Sequence, residues 1–250
     1  MATDGCGDMR RFFCAAQDVS TNRIILRGQD AEHITRVLRL APGDEVVVCD
    51  GEQTDYICRI AATARTQVEL DILRREQNGS EPTIEVALYQ CLPKGDKMDG
   101  IVKRCVELGV HTIVPVISKR CVSRPQAAAL EKKIVRYGQI AYEAAKQSGR
   151  GIVPRVCAAL ELEAALAQIA SGGGCPVFLY EAERERTLRS APAAQAYQIV
   201  VGPEGGFDTA EATLARSLGM EPYTLGPRIL RTETAGACAL AALMTLTNNL

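Results

Sequence analysis

The chain has 250 residues, of which 47% are hydrophobic and 24% charged, and its net charge is −1. That length allows a substantial core, and the overall charge advertises no polyanion partner. Ten cysteines and two histidines include no CxxC pair, which excludes the usual zinc clusters, so no metal is expected. The first eleven residues lack the apolar core of a signal peptide. Scattered cysteines in a chain of this length then point to a reducing, cytoplasmic setting.

Residues 23–26, 45–49, 55–61 and 67–73 are short runs rich in Val, Ile and Leu, separated by turn signals such as Pro42-Gly43-Asp44 and Asp50-Gly51. They read as strands. One helix interrupts them, with Asp30 as its expected N-cap. Ile34, Val37 and Leu38 share one face of it, and His33, Arg36 and Arg39 the other. The pattern predicts a small β-barrel with one helix over 1–75, and the polar run 74–82, ending in Pro82, is the expected linker.

Over 76–250 strands and helices alternate, which predicts an α/β domain with a largely parallel sheet. A buried-type strand at 83–90 precedes a helix capped by Asp96, in which Met98, Ile101, Val102, Cys105 and Leu108 recur at helical spacing. A strand at 112–117, a long amphipathic helix at 130–147 and a helix at 160–169 follow, the last ended by Gly172-Gly173-Gly174. Strands at 177–180, 199–201 and 222–225 lead to a final Ala-rich helix. The charge-free stretch 234–250 is too short in its apolar part to span a membrane, so no membrane partner is expected.

Charge is unevenly distributed. Residues 94–150 hold twelve Lys/Arg against five Asp/Glu, a local balance of +7. Such a segment can form a polyanion-binding face inside a neutral chain, or simply a solvated helical surface.

Two segments could carry chemistry. Gly202-Pro203-Glu204-Gly205-Gly206-Phe207 leaves a strand and enters a helix that Asp208 or Thr209 could cap. It is neither GxGxxG nor a P-loop. Leu225-Gly226-Pro227-Arg228-Ile229-Leu230-Arg231-Thr232-Glu233-Thr234-Ala235 also leaves a strand, turns at Gly-Pro, and enters a helix capped by Thr232 or Thr234. Alone, the first reads as a tight turn and the second as an Arg–Glu pair steadying a helix start. Two such loops in one α/β domain suggest a shared ligand pocket.

Together these loops resemble the closing motif pair of the SPOUT methyltransferases. The chain is similar to one branch, the 16S rRNA uridine-N3 methyltransferases of the ribosomal small subunit methyltransferase E family, along nearly its whole length. Arg10-Arg11-Phe12-Phe13, His33-Ile34-Thr35-Arg36-Val37-Leu38-Arg39, Lys94-Gly95-Asp96-Lys97-Met98-Asp99, Lys103, Glu107-Leu108-Gly109-Val110, Ser118, Arg120, Gln147-Ser148, Arg150 and Pro154 follow that pattern in order. Lys146 departs from it, standing where an acidic residue is frequent.

The resemblance implies a PUA-like RNA-binding barrel followed by a trefoil-knotted α/β methyltransferase domain. It implies S-adenosyl-L-methionine as cofactor, bent in the knot and held by Leu179, Tyr180 and Glu181, by Gly202, Pro203, Glu204, Gly205 and Gly206, and by Leu225, Gly226, Ile229, Leu230, Arg231, Thr232, Thr234 and Ala235. It further implies a homodimer, and uridine 1498 of 16S rRNA, free or in the small subunit, as substrate. Methylating a uracil N3 requires an oriented methyl donor and a stabilised anionic base. Arg231 is the expected anion stabiliser, with Glu204 or Glu233 as base. Arg10, Arg11, Arg36, Arg39, Lys94, Lys97, Arg104, Arg120 and Arg150 are the expected RNA contacts. The rival readings are methylation of a ribose 2′-hydroxyl or another base in rRNA or tRNA, and a non-catalytic RNA-binding assembly factor.

Overall fold

The alternating apolar runs near the N-terminus build one sheet. The structure, a computed structural model, describes residues 9–250. The start of the expected first domain, and most of the stretch read for a signal peptide, lie outside the described residues. The chain divides into two compact units. One holds the chain up to Glu81 together with Ala145–Val153, the other Pro82–Ala144 and Pro154–Leu250.

In the first unit, β1 (Arg11–Phe13), β2 (Arg23–Arg27), β3 (Glu45–Cys49), β4 (Thr54–Thr63) and β5 (Gln67–Gln77) pair in the order β1-β3-β4-β5-β2. β1 is parallel to β3, and the other pairs are antiparallel. Alternate side chains point one way. Ile24 and Leu26, Val46 and Val48, Cys58 and Ile60, and Val68 and Leu70 meet Phe12 in one buried cluster. All five strands reach that cluster because the sheet curls, helped by register shifts in β4–β5 between Ile57 and Cys58 and between Ile60 and Ala62.

The helix differs from expectation in two ways. α1 (Gln29–Glu32) has Gly28 at its N-cap, with φ 65°, rather than Asp30. The Asp30 carboxylate instead takes Lys146 Nζ at 2.8 Å. The chain then continues into a π-helical turn, His33–Val37. This wider winding rotates Val37 off the predicted apolar face: Ile34 stays buried while Val37 is 69% exposed.

β5 continues through Gln77, so the polar run expected as a linker begins as strand, with Arg74 paired to Ile57 and Gln77 to Thr54. Ala145–Val153 belongs to this unit through long-range polar contacts. Arg150 Nη2 meets Glu81 Oε2 at 2.6 Å, and Asn78 Nδ2 donates to the Gly149 carbonyl at 3.0 Å.

In the second unit, β6 (Glu85–Cys91), β7 (Thr112–Ile117), β8 (Arg155–Val156), β10 (Cys175–Leu179), β11 (Ala196–Val201) and β12 (Pro222–Tyr223) pair in the order β12-β10-β11-β6-β7-β8, with β9 (Leu160–Glu161) also beside β7. Every pairing is parallel. The central strands β6 and β11 read as nearly unbroken apolar runs because both faces are covered. The unit's α-helices are α2 (Lys97–Glu107), α3 (Ala127–Gln147, of which residues 145–147 count with the first unit), α4 (Leu162–Ser171), α5 (Thr209–Ser217) and α6 (Thr232–Leu246).

Met98, Ile101, Val102 and Cys105 of α2 are buried as their spacing predicts, and α2 packs on α6. Leu108 falls at the C-cap. Asp96 precedes α2 without capping it by side chain, since its φ of −100° and ψ of 16° lack the extended N-cap geometry. α4 starts at Leu162 because Leu160 and Glu161 are drawn into a short strand beside β7. α5 opens with a capping box between Asp208 and Glu211. α6 has Arg231 at its N-cap, in extended conformation, and neither Thr232 nor Thr234 caps it. The Thr232 hydroxyl is turned elsewhere.

Candidate cofactor pocket

Parallel strands leave their C-terminal ends open to a crevice, because the chain must turn there into a helix. In the second unit the turns after β10, β11 and β12 surround a cavity of about 520 Å³. Its walls include Leu179 at the end of β10 with Tyr180 and Glu181 beyond it, Gly202, Pro203, Glu204, Gly205 and Gly206 after β11, and Leu225, Gly226, Ile229, Leu230, Arg231, Thr232 and Ala235 after β12. Of the residues assigned to the cofactor from the sequence, Thr234 alone does not line it. Thr234 lies on the exposed side of α6, while Thr232 and Ala235 are buried. The sequence reading missed Arg184, Val201, Tyr223, Thr224 and Arg228, which also line the cavity.

Glycine is required at two of these turns. Gly206 has φ 65°, and an added Cβ would lie 2.0 Å from Glu181 Oε1. Gly226 has φ 111°, a backbone conformation that side-chain-bearing residues rarely adopt. Beneath the first loop, Phe207 stacks on Phe178 with ring centroids 4.6 Å apart and fixes the loop's depth. Arg120 Nη1 donates to the carbonyls of Gly205 at 2.9 Å and Phe207 at 3.2 Å.

The two loops are tied together by side chains. The Thr232 hydroxyl donates to the Gly202 carbonyl at 2.6 Å and accepts from Gln90 Nε2 at 2.9 Å. Gln90 is the penultimate residue of β6 and is fully buried. A lone glutamine closing an apolar strand was the sequence signal that could have found it. A second tie is ionic. Lys97 Nζ bonds Glu204 Oε1 at 2.9 Å and Glu233 Oε2 at 3.3 Å. The Lys94 N–H reaches Glu204 Oε1 at 3.1 Å, and Arg104 Nη2 donates to the Glu233 carbonyl at 3.1 Å.

These contacts set the charge state of both carboxyls. Burial opposes ionisation of Glu204, but Lys97 and the surrounding N–H groups outweigh it and hold its carboxyl below the ordinary value. The backbone N–H of Glu233, again aided by Lys97, lowers that carboxyl too. The guanidiniums of Arg228 and Arg231, by contrast, make no hydrogen bond or ion pair among the described residues, and both residues are exposed at the cavity wall.

The residues expected to contact RNA fall into groups. Arg10, Arg36, Arg39 and Lys94 are exposed. Arg104 and Arg120 are exposed while each gives a guanidinium nitrogen to a loop carbonyl. Arg11 pairs with Asp55 through two bonds of 2.5 and 2.7 Å. Arg150 is 3% exposed and engaged by Glu81, so its guanidinium faces the interior of the first unit rather than a ligand.

An RNA methyltransferase domain family model matches residues 80–244, and an RNA methyltransferase PUA domain model matches residues 26–73. The chain is 32% identical over 225 residues to the ribosomal RNA small subunit methyltransferase E of Bacillus subtilis, covering 87% of this chain and 88% of that protein. It is also 32% identical over 224 residues to the Aquifex aeolicus protein of the same name, covering 89% and 94%. A crystal structure of the Neisseria gonorrhoeae ribosomal RNA small subunit methyltransferase E bound to S-adenosyl methionine superposes with a TM-score of 0.86 at 32% identity, covering 95% of this chain and 98% of that one. Domain order, parallel sheet and near full-length similarity agree: the chain belongs to the ribosomal RNA small subunit methyltransferase E family.

Proposed function

We propose that this chain transfers a methyl group from S-adenosylmethionine to N3 of a uridine in 16S rRNA, uridine 1498 by the family resemblance. Membership of its family makes it an S-adenosylmethionine-dependent RNA methyltransferase. The observation that carries the finer reading is the cavity walled by two tied loops, with free arginines on its wall.

The cavity suits that cofactor. Its volume lies within the range of small-molecule sites, Leu179, Ile229 and Leu230 give it apolar surface, and the glycines let backbone amides come close. The bound cofactor supplies an electrophilic methyl group. The protein's part is to orient the uracil and stabilise negative charge as its imide proton leaves. Arg231 does this by placing an unpaired guanidinium where the uracil oxygens would lie. Glu204 or Glu233 takes the proton. Both are held ionised, and their lowered proton affinity leaves most of the stabilisation to Arg231.

Exposed Arg10, Arg36, Arg39 and Lys94, with Arg104 and Arg120, hold the rRNA phosphates. The same reading includes the trefoil knot and a cytoplasmic location where ribosomal subunits mature. It also includes a homodimer, supported by apolar surface on the outer side of α6 and at the cavity rim, where Leu246 is 48% and Ile229 76% exposed. Light scattering tests the dimer. Small subunits and naked 16S rRNA treated with methyl-labelled cofactor, followed by mapping of the modified nucleotide, test the reaction. N3-methyluridine is expected, and a ribose methyl would overturn the assignment.

A further inference from the structure

Lys97 lies in the basic segment and reads, from sequence, as a phosphate ligand. Its environment differs from that of the exposed basic residues. The ammonium is one-third exposed and is shared between two carboxylates, one on each cofactor loop segment: Glu204 in the turn after β11 and Glu233 in the first turn of α6. These two segments are the ones that Thr232 and Gln90 already join from the buried side. Lys97 thus closes the outer side of a junction whose inner side is a neutral hydrogen-bond relay. Its raised proton affinity, caused first by the Glu204 hydrogen bond, belongs to a cation that is already neutralised.

We infer that Lys97 is a positioning residue that clasps the Glu204 loop to the start of α6 and thereby holds the cofactor pocket closed, rather than a contact for rRNA phosphate. A phosphate would have to displace two carboxylates from one ammonium and leave them without the cation they share. Removal of the cation loosens the walls of the cavity on two sides while leaving the exposed basic residues free to bind RNA.

The inference rests on the reading that the cavity takes S-adenosylmethionine, and the test separates the two. Cofactor binding by calorimetry, KM for cofactor and for rRNA, and the salt slope of rRNA binding are measured for the natural protein, Lys97→Met and Lys97→Arg. Lys97→Met is expected to weaken cofactor binding about tenfold and raise the cofactor KM by a similar factor, with rRNA affinity and its salt slope unchanged. Lys97→Arg, which keeps both charge-assisted bonds, restores most of the loss. Unchanged cofactor affinity in Lys97→Met, with a salt slope reduced by about 0.9, would make Lys97 a phosphate ligand and overturn the inference. Absence of cofactor binding in the natural protein would overturn the underlying reading as well. Should Lys97→Met not fold, Glu233→Gln keeps the question open to decision: it removes one of the two carboxylate arms, and unimpaired cofactor binding there would equally exclude the clasp.

Discussion

The Thr232 hydroxyl and the Gly202 carbonyl meet at 2.6 Å, joining the first residue of α6 to the first glycine after β11. Neither residue carries chemistry by itself. Their bond makes two loops, 30 positions apart in the chain, into one wall of the cavity. Gln90 stands behind it, with both Nε2 hydrogens used, on Thr232 and on the Cys91 carbonyl.

Thr232→Val keeps the volume and deletes the relay. The Gly202 carbonyl loses its side-chain donor and Gln90 Nε2 one of its two acceptors, in a site where Thr232 is 5% exposed. A buried group left unsatisfied costs about 1–3 kcal/mol. The expected outcome is a fall of that size in urea-unfolding stability, with at least a tenfold weaker cofactor affinity by calorimetry. Thr232→Ser should recover both. A valine variant that binds cofactor as tightly as the natural protein would show that the relay does not shape the pocket.

Gly206→Ala separates pocket shape from global stability. Its φ of 65° strains any side-chain-bearing residue by about 1 kcal/mol. Its added methyl would also sit on the Glu181 carboxylate, which must then move. Thermal denaturation should register a modest loss, while cofactor binding should fall by more than that strain accounts for. Equal losses in the two measurements would mean that Glu181 is free to shift and the close approach is incidental.

The parts of the molecule read directly from the sequence are those where local pattern and tertiary environment agree. Strand alternation in Val46, Val48, Val68 and Leu70, the helical spacing of Met98, Ile101, Val102 and Cys105, and the glycines of the two loops all point to what the structure contains. The misses have a common cause. Asp30, Lys97, Arg104 and Arg150 are charged residues whose partners lie far along the chain: the sequence alone offers Asp30 as a helix cap and the other three as RNA contacts, and announces none of these partners. The π-helical turn at His33–Val37 likewise has no local signature, because it breaks the periodicity by which helix faces are assigned.

The lowered carboxyls of Glu204 and Glu233 make a pH prediction. A depressed group contributes stability that is fully present above its unfolded value, near 4.5, and is lost as pH falls through the lower folded value. Cofactor affinity should therefore be flat between about pH 5 and 8 and decline only in more acid solution. With Glu204 or Glu233 already ionised and taking the imide proton from neutral uracil, the methyl-transfer rate should be flat over the same range and fall only as these carboxyls protonate. Arg231→Ala should lower that plateau about tenfold without moving its acid limb, since tenfold corresponds to about 1.4 kcal/mol of lost anion stabilisation. An inflection from the enzyme between pH 6 and 7 would reveal a carboxyl with raised proton affinity and remove these two glutamates as bases.

Arg150 and Arg36 form a matched pair of tests, since the sequence offers both as RNA contacts. Arg150 is enclosed: its side chain and that of Glu81 are 4% and 6% exposed, and the same carboxylate also accepts the N–H groups of Gly151 and Ile152. Arg150→Met leaves a buried charge with only those backbone donors, and loss of one member of a buried pair costs about 3–5 kcal/mol. The retained backbone bonds place the expected loss at the low end of that range, visible as a lower unfolding midpoint. Arg36 is exposed, with Glu32 no closer than 3.9 Å, so Arg36→Ala should leave the midpoint within about 0.5 kcal/mol. It should instead reduce the salt slope of rRNA binding by about 0.9, the signature of one phosphate contact. If Arg150→Met changed the salt slope while the unfolding midpoint stayed put, its guanidinium would be reaching RNA and the ion pair with Glu81 would not be what holds Ala145–Val153 to the first unit.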